Sequence, residues 1–186
     1  MLLIRPDFAH NHAQARAQLQ HFESEPNNHL DAHARSEEHL SVEASQQKAP
    51  MSELVAYVDG GCLGNPGPSG IGVVISGCSD GPIRIAKWIG RQDNNVAEYA
   101  ALMEALQYAV SLKARKLHVF SDSQVVVRQM TGEYTCRSPR LYSLHWTCRK
   151  LARSLGFFSI SHVPREDNAE ANGLAQAALR KRGRST

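Results

Sequence analysis

Residues Leu54–Gly70 read LVAYVDGGCLGNPGPSG, and this stretch decides the fold. An apolar, strand-forming run ends at Asp59. Five glycines and two prolines follow within eleven residues. Glycine permits positive φ and proline cannot donate to a ladder, so a tight turn is predicted before a second strand begins at Ile71. The expected hairpin therefore carries a carboxylate where its first strand meets the turn, although an aspartate there can equally be a simple turn residue.

Three more short segments follow in the chain: Asn94–Tyr99 (NNVAEY), Ser121–Gln124 (SDSQ) and Val163–Asn168 (VPREDN). With Asp59–Pro68 (DGGCLGNPGP) they form an ordered set that chance would have to supply as a whole. The set resembles ribonuclease H, type 1, over about residues 51–181. The resemblance implies an α/β fold of the RNase H-like type, a five-stranded mixed sheet with helices on both faces.

Hydrophobic periodicity and turn signals predict the same class of fold without the resemblance. Three strands come first, and helices then alternate with strands, which is typical of a mixed sheet covered by helices. The predicted strands cover 54–58, 71–76, 84–89, 117–121 and 157–163, and the predicted helices cover 96–112, 123–131, 141–155 and 167–182.

Composition divides the chain. Residues 1–50 hold six of the nine histidines and no convincing apolar stripe, so a polar, poorly ordered N-terminal extension is predicted. They contain four Lys/Arg and seven Asp/Glu, a net charge of −3, which leaves +6 for the remainder because the total is +3. Residues 51–182 are expected to form the ribonuclease H domain and residues 183–186 a basic tail. A basic domain around an acidic cluster suits a polyanionic substrate.

The chain shows no apolar run of membrane-spanning length and no signal-cleavage pattern near its first residues. We expect a cytoplasmic protein that acts as a monomer and has no membrane partner. The four cysteines lack paired metal-binding spacing, so free thiols are predicted in a reducing compartment.

Three carboxylates occupy positions from which they could converge. Asp59 and Asp122 each follow a predicted strand, and they meet if those strands are neighbours, as the resemblance implies. Glu98 precedes Leu102 and Leu106 by about one and two helical turns, so it points along the sheet-facing side of its helix. Two alternatives stay open: Glu98 can be a partly solvated first-turn residue, and Asp122 can be the N-cap of the next helix.

Carboxylates that converge repel one another and stay ionised together only around a cation. Oxygen ligands favour Mg²⁺ or Mn²⁺. The resemblance implies two such ions, which clamp the attacking and leaving oxygens of an in-line phosphoryl displacement and give 5′-phosphomonoester products. By the same resemblance, Asp59 bridges both ions, Glu98 serves mainly the ion at the departing 3′-oxygen, and Asp122 mainly the ion that activates water.

The family's fourth metal ligand is normally an aspartate, but this chain has Asn172 at that position, within Ala171–Ala175 (ANGLA). An amide oxygen can coordinate a cation but brings no charge, so we expect weaker metal binding, reduced activity and a preference for Mn²⁺. The alternative is an ordinary polar residue on the shoulder of a helix. Two residues are candidates for the family's proton-handling role, Arg165, which we favour near the site, and His162, which stays open.

Amide and backbone groups of the turn and loops are suited to reading a shallow minor groove and the 2′-hydroxyls of RNA. For Cys62 a small filler of the turn is the alternative. The connection 132–140 holds only Arg137 and Arg140, so the basic protrusion of many family members is predicted to be missing and hybrid affinity to be salt-sensitive. The predicted substrate-binding residues are Gly61, Cys62, Asn65, Asn94, Asn95 and Gln124.

Two functions fit these patterns. The first is an endonuclease that hydrolyses the RNA strand of an RNA/DNA hybrid by a two-metal-ion mechanism. The second is a hybrid-binding module with impaired catalysis, which Asn172 suggests. Three retained acids favour the enzyme, because a pure binding module gains nothing from carboxylates that repel one another.

Overall fold

The structure, a computed structural model, describes residues 53–182, so the predicted extension 1–50 and tail 183–186 lie outside the described residues. Within the described range the chain forms five strands, four α-helices and one 3₁₀ turn, Arg165–Asn168. The strands are β1 (Glu53–Cys62), β2 (Gly67–Ser76), β3 (Ile83–Gln92), β4 (Lys116–Ser121) and β5 (Phe157–His162). The helices are α1 (Asn94–Ser111), α2 (Gln124–Thr131), α3 (Pro139–Arg153) and α4 (Ala169–Arg182).

The five strands form one mixed sheet in the order β3-β2-β1-β4-β5. The hairpin pairs β1–β2 and β2–β3 are antiparallel, as short turns require, and β1–β4 and β4–β5 are parallel because helices connect those strands. The predicted fold class is confirmed. Strand β1 pairs in parallel with β4, and their last paired residues are Val58 and Ser121. Asp59 and Asp122 come next in the two chains, so they lie at the same edge of the sheet.

Helices cover both faces of this sheet. A Cβ added to Gly60 would lie 2.1 Å from the carbonyl carbon of Ala97 in α1, whereas one added to Gly72 would lie 2.0 Å from the carbonyl oxygen of Ala171 in α4. Gly72 pairs with Asp59, which points to the face opposite that of Gly60. The core therefore fills the α1 side, where the largest buried side chains include Leu54, Val58, Ile71, Val73, Ile75, Tyr99, Leu102 and Leu106.

The β1–β2 hairpin is longer than the sequence predicts. Strand β1 continues to Cys62, which pairs with Ser69, so the glycine-rich turn shrinks to residues 63–66. Gly60 and Gly61 belong to the ladder, where they pair with Ile71 and Gly70. Helix α1 approaches the sheet closely at Gly60, which a side chain there would prevent. Strand β1 also outlasts its parallel neighbour, since the β1–β4 register ends at Val58 opposite Ser121.

The other boundaries agree with the predictions to within a few residues. The last helix is the main difference: it begins at Ala169, and residues 165–168, partly predicted as helix, form the 3₁₀ turn after Pro164. The four cysteines, all of which lie within the described residues, form no disulfide. Within residues 53–182, no helix has the length and apolar character that crossing a membrane requires.

Replacing Gly72 with Ala should destabilise the domain by about 1–3 kcal/mol, because the new methyl group must displace the α4 backbone. Urea unfolding of the purified chain measures the change. Gly173→Ala is the matched control: this exposed glycine within α4 has no atom within 4 Å of its added Cβ, so the same substitution should be neutral or stabilise by about 0.5–1 kcal/mol. Equal destabilisation by both variants would show that α4 does not rest on Gly72.

Candidate active site

Each of the three candidate carboxylates comes from a different element at one edge of the sheet. Asp59 lies in the part of β1 that extends past β4, Asp122 directly follows β4, and Glu98 begins the second turn of α1. Asp59 is 5% exposed and Glu98 is 8% exposed, while Asp122 is half-buried. Two acids are therefore held out of water, which costs several kcal/mol per charge unless an opposite charge meets them.

The three side chains converge. One carboxylate oxygen from each of Asp59, Glu98 and Asp122 lies within 4.8 Å of the other two, a separation suited to a shared cation. Both open alternatives are wrong. The N-cap of α2 is Ser123, whose hydroxyl accepts the N–H of Val126, and Glu98 is buried rather than solvated.

The side chain of Glu98 is held by β1, in the part of that strand that extends beyond β4. Beyond the end of the β1–β4 register, the N–H of Gly60 donates to Glu98 Oε2 at 3.1 Å. The start of α1 is fixed in turn by Asp93, whose carboxylate accepts the N–H of Val96 at 2.9 Å. The glycine that lets α1 approach the sheet thus also supplies a donor to the glutamate that α1 carries.

The charges of this cluster are mutually unfavourable. Burial, followed by the charges of Asp59 and Asp122, raises the pKa of Glu98 from 4.5 to about 9. Burial, followed by the charge of Asp122, raises the pKa of Asp59 from 3.8 to about 6. The Gly60 hydrogen bond and the charge of Arg165 oppose the shift at Glu98, but they are smaller effects. A bound cation would supply the missing positive charge.

Asp122 is oriented by two amides that follow each other by one helical turn. Asn168 Nδ2 donates to Asp122 Oδ1 at 2.9 Å and also to the carbonyl oxygen of Val58 at 2.9 Å. Asn172 Nδ2 donates more weakly to Asp122 Oδ2 at 3.4 Å. Both amide oxygens are buried and have no partner, which is unusual for polar atoms and leaves two acceptors beside the acids.

Asn168 is a site residue that sequence reasoning missed as such. It belongs to the VPREDN segment, where it reads as a polar residue at the start of a helix. The structure instead places it across β1 and β4, where it is 1% exposed and bridges the two strand ends. The VPREDN motif was the one sequence signal that pointed to Asn168, but no local sequence pattern predicts its contact with Asp122.

The two candidates for the proton-handling role lie in different places. Arg165 Nη1 is 3.8 Å from Asp122 Oδ2, and its exposed side chain lines the cleft that contains two of the acids, Asp59 and Glu98. His162, the exposed last residue of β5, lines a separate cleft of about 310 Å³ against α2. Gln124, predicted to bind substrate, lies in that second cleft as well.

The cleft with the acids has a volume of about 470 Å³ and also contains Gly61, Cys62 and Asn94 from the predicted substrate surface. Asn65 adjoins it, because its side-chain oxygen accepts the N–H of Asn94 at 3.1 Å. Asn95 is exposed and does not line this cleft. Sequence reasoning missed three α4 residues that follow Asn172 at helical spacing and line the same cleft, Ala175, Gln176 and Leu179; Arg180 lines it as well.

Comparison with known proteins identifies the family to which this chain is similar. Residues 57–178 match the protein family described as Reverse transcriptase-like. Ribonuclease HI of Halobacterium salinarum is 39% identical over 125 residues, 67% of this chain and 63% of the relative. Bifunctional protein Rv2228c of Mycobacterium tuberculosis is 37% identical over 129 residues, 68% of this chain but only 35% of the relative. The chain thus matches less than two thirds of either relative's length.

Solved structures agree in fold over nearly their whole length. The crystal structure of RNase H1 from the halophilic archaeon Halobacterium salinarum is 37% identical, with a TM-score of 0.66, and the match covers 70% of this chain and 99% of that one. LC11-RNase H1, solved in complex with an RNA/DNA hybrid, is 35% identical with a TM-score of 0.65, covering 69% and 98%. The chain therefore belongs to the ribonuclease H-like family described as Reverse transcriptase-like, and it is close to the ribonuclease HI proteins.

Proposed function

We propose that this protein is an endonuclease that hydrolyses the RNA strand of RNA/DNA hybrids and leaves 5′-phosphomonoester products. The convergence of Asp59, Glu98 and Asp122 within 4.8 Å carries the proposal. The ribonuclease HI relatives and the hybrid complex of LC11-RNase H1 support the substrate class. The alternative, a binding module with impaired catalysis, is less consistent with two buried acids that can both be ionised at neutral pH only beside a cation.

The donor set fits divalent metal ions. It consists of carboxylate oxygens and an orphaned amide oxygen on Asn172, which are the ligands that Mg²⁺ and Mn²⁺ prefer. We propose that Asp59, Glu98, Asp122 and Asn172 hold two ions. When bound, such ions supply an activated water and a stabilised leaving oxygen for in-line displacement at phosphorus. Two ions among three carboxylates would also oppose the burial and the repulsion that together raise the pKa of Glu98.

The other residues of the cleft have separate proposed roles. Asn168 orients Asp122 through its 2.9 Å hydrogen bond. Arg165 places a positive charge at the open side of the acids, where it can meet the scissile phosphate. Gly61, Cys62, Asn65, Asn94 and Asn95 would contact the hybrid on one side, and Gln124 on the other. The cytoplasmic location, the monomeric state, the missing protrusion and a contribution of His162 stay predictions from the sequence.

Asp59→Asn should abolish cleavage of a labelled hybrid in Mg²⁺ or Mn²⁺, because one of the three carboxylates that would hold the metal ions is lost. With divalent ions chelated, the same variant should be more stable than the parent by about 1–3 kcal/mol in urea, since a buried, repelled charge is removed. Mg²⁺ should stabilise the parent more than the variant.

Asp80→Asn makes the same chemical change at an exposed aspartate in the β2–β3 loop and should leave cleavage and metal response unaltered. If the parent chain cleaves no hybrid with either metal, the proposed activity is wrong. If Asp59→Asn changes neither cleavage nor the free energy of unfolding measured with divalent ions chelated, the three acids do not form a metal site.

Asn172→Asp should lower the Mg²⁺ concentration for half-maximal cleavage by about tenfold or more, because it adds a charge where the parent has an amide. It should also lower stability when divalent ions are chelated, since a fourth carboxylate joins the repelling cluster. A Mg²⁺ titration of initial rates, paired with urea unfolding, measures both effects. Gln107→Glu, the same amide-to-acid change at an exposed position of α1, is the control. Identical behaviour of the two variants would remove Asn172 from the proposed ligand set.

Arg165→Gln should reduce kcat about tenfold or more, because its guanidinium is the cation nearest to Asp122 in the cleft. His162→Gln should have a smaller effect, because His162 faces the neighbouring cleft. Steady-state cleavage at saturating Mg²⁺ separates the two. The opposite ranking would assign the proton-handling role to His162.

A further inference from the structure

The outward face of α3 carries large aromatic rings that the fold does not use. Tyr142 is 61% exposed and Trp146 is 57% exposed, and they lie four residues apart, one above the other on the helix. The inward face is made by different residues, including the buried Leu141 and Cys148, so the two rings contribute little to the core. Exposed aromatic rings grouped in this way are typical of interaction surfaces.

Cations share this face. Arg149, Lys150 and Arg153 are exposed and lie within about a quarter-turn of the two rings at 100° per residue. Helix α3 contains no Asp or Glu, and among the described residues none of these three cations is paired with a carboxylate. Lys150 Nζ lies 5.4 Å from the centre of the Trp146 ring. We call this set of five the α3 stripe: Tyr142, Trp146, Arg149, Lys150 and Arg153.

The α3 stripe begins near the edge of the sheet that holds the acids. Arg140 in the first turn of α3 has Nη1 3.9 Å from the carboxylate of Asp93, which caps α1 one turn before Glu98. At the other end, α3 leads to β5, which starts at the opposite edge of the sheet. The stripe therefore runs from beside the active site down the flank of the domain.

We propose that the α3 stripe binds single-stranded nucleic acid, with bases stacked on Tyr142 and Trp146 and phosphates held by Arg149, Lys150 and Arg153. Aromatic rings interleaved with cations, without acids, match a strand that offers unstacked bases and a negative backbone. A duplex cannot use the rings, because its bases are already stacked on one another. An acidic protein could engage both the rings and the cations, since protein interfaces are rich in Tyr, Trp and Arg, and the competition experiment below distinguishes that partner.

The place of the stripe suggests which strand it takes. A single-stranded segment that leaves the end of a hybrid at the acids would meet the start of α3 first and could follow the stripe away from the site. This assignment to the hybrid's flanking strand rests on the proposed function. Binding of single strands by the stripe does not rest on it, since none of its five residues lines the cleft with the acids.

The test measures binding of a fluorescein-labelled oligothymidylate to the full chain by anisotropy. The double variant Tyr142→Ala/Trp146→Ala should bind about tenfold more weakly or worse, because stacking is lost at two rings. Tyr108→Ala, which removes a 37% exposed ring on α1, should bind like the parent. Replacing Arg149, Lys150 and Arg153 with Ser should reduce the slope of log affinity against log salt by about 0.7 per cation.

A spectroscopic arm reports the stacking itself. The chain has two tryptophans, so a Trp88→Phe variant leaves Trp146 as the single emitter, and oligothymidylate should quench its fluorescence. Polyglutamate, a polyanion without bases, should compete poorly and should not quench. Unchanged binding by the double aromatic variant, or equal competition by polyglutamate, would overturn the proposal and leave a surface for acidic proteins.

The double aromatic variant should cleave a short blunt hybrid as fast as the parent does. The parent should bind a hybrid with a single-stranded extension more tightly than a blunt one, and the variant should bind the two alike. The two proposals therefore fail in different ways. If the parent cuts no hybrid but binds and stacks oligothymidylate through α3, only the endonuclease proposal fails. If it cuts hybrids but the double variant binds single strands normally, only the stripe proposal fails.

Discussion

Electrostatic repulsion among three carboxylates is the constraint on which the structure of the site depends. Two of the three are almost fully buried, and each raises the cost of ionising the others. A fold can hold such groups together only if their backbones are fixed by packing elsewhere, because the side chains themselves would separate. The sheet, the buried face of α1 and the close contact of α4 with β2 provide that support.

The edge of the sheet supplies the space. Strand β4 stops at Ser121 while β1 continues to Cys62, so past Val58 the backbone groups that β1 directs toward β4 have no strand beside them. Glu98 accepts the hydrogen bond of the Gly60 N–H, and Asn168 donates one to the carbonyl oxygen of Val58. Side chains thus complete the hydrogen bonding that a longer β4 would have provided, and the acids occupy the place where its next residues would have been.

Much of this could be predicted from the sequence, because period-two and helical patterns locate strands and helices, and because Asp59 and Asp122 follow strands whose type was clear. The length of the hairpin could not, since Gly60 and Gly61 have the composition of a turn, whereas both pair with β2 and α1 lies against the sheet at Gly60. Asn168 was missed for a similar reason: its role depends on how the 3₁₀ turn before α4 lies against the ends of β1 and β4. The direction of His162 depends on the end of β5, which no local pattern describes.

The contact between α4 and β2 limits how this domain can be recombined with its relatives. Gly70 and Gly72 receive the backbone of α4 at the small residues Ala171, Ala175 and Ala178, and a longer side chain on either surface would separate them. Because Asn172 lies on the same helix, a chimera that exchanges α4 alone would shift the amide relative to Asp122 by whatever the new interface requires. Chimeric proteins should therefore take β2 and α4 together from the same parent.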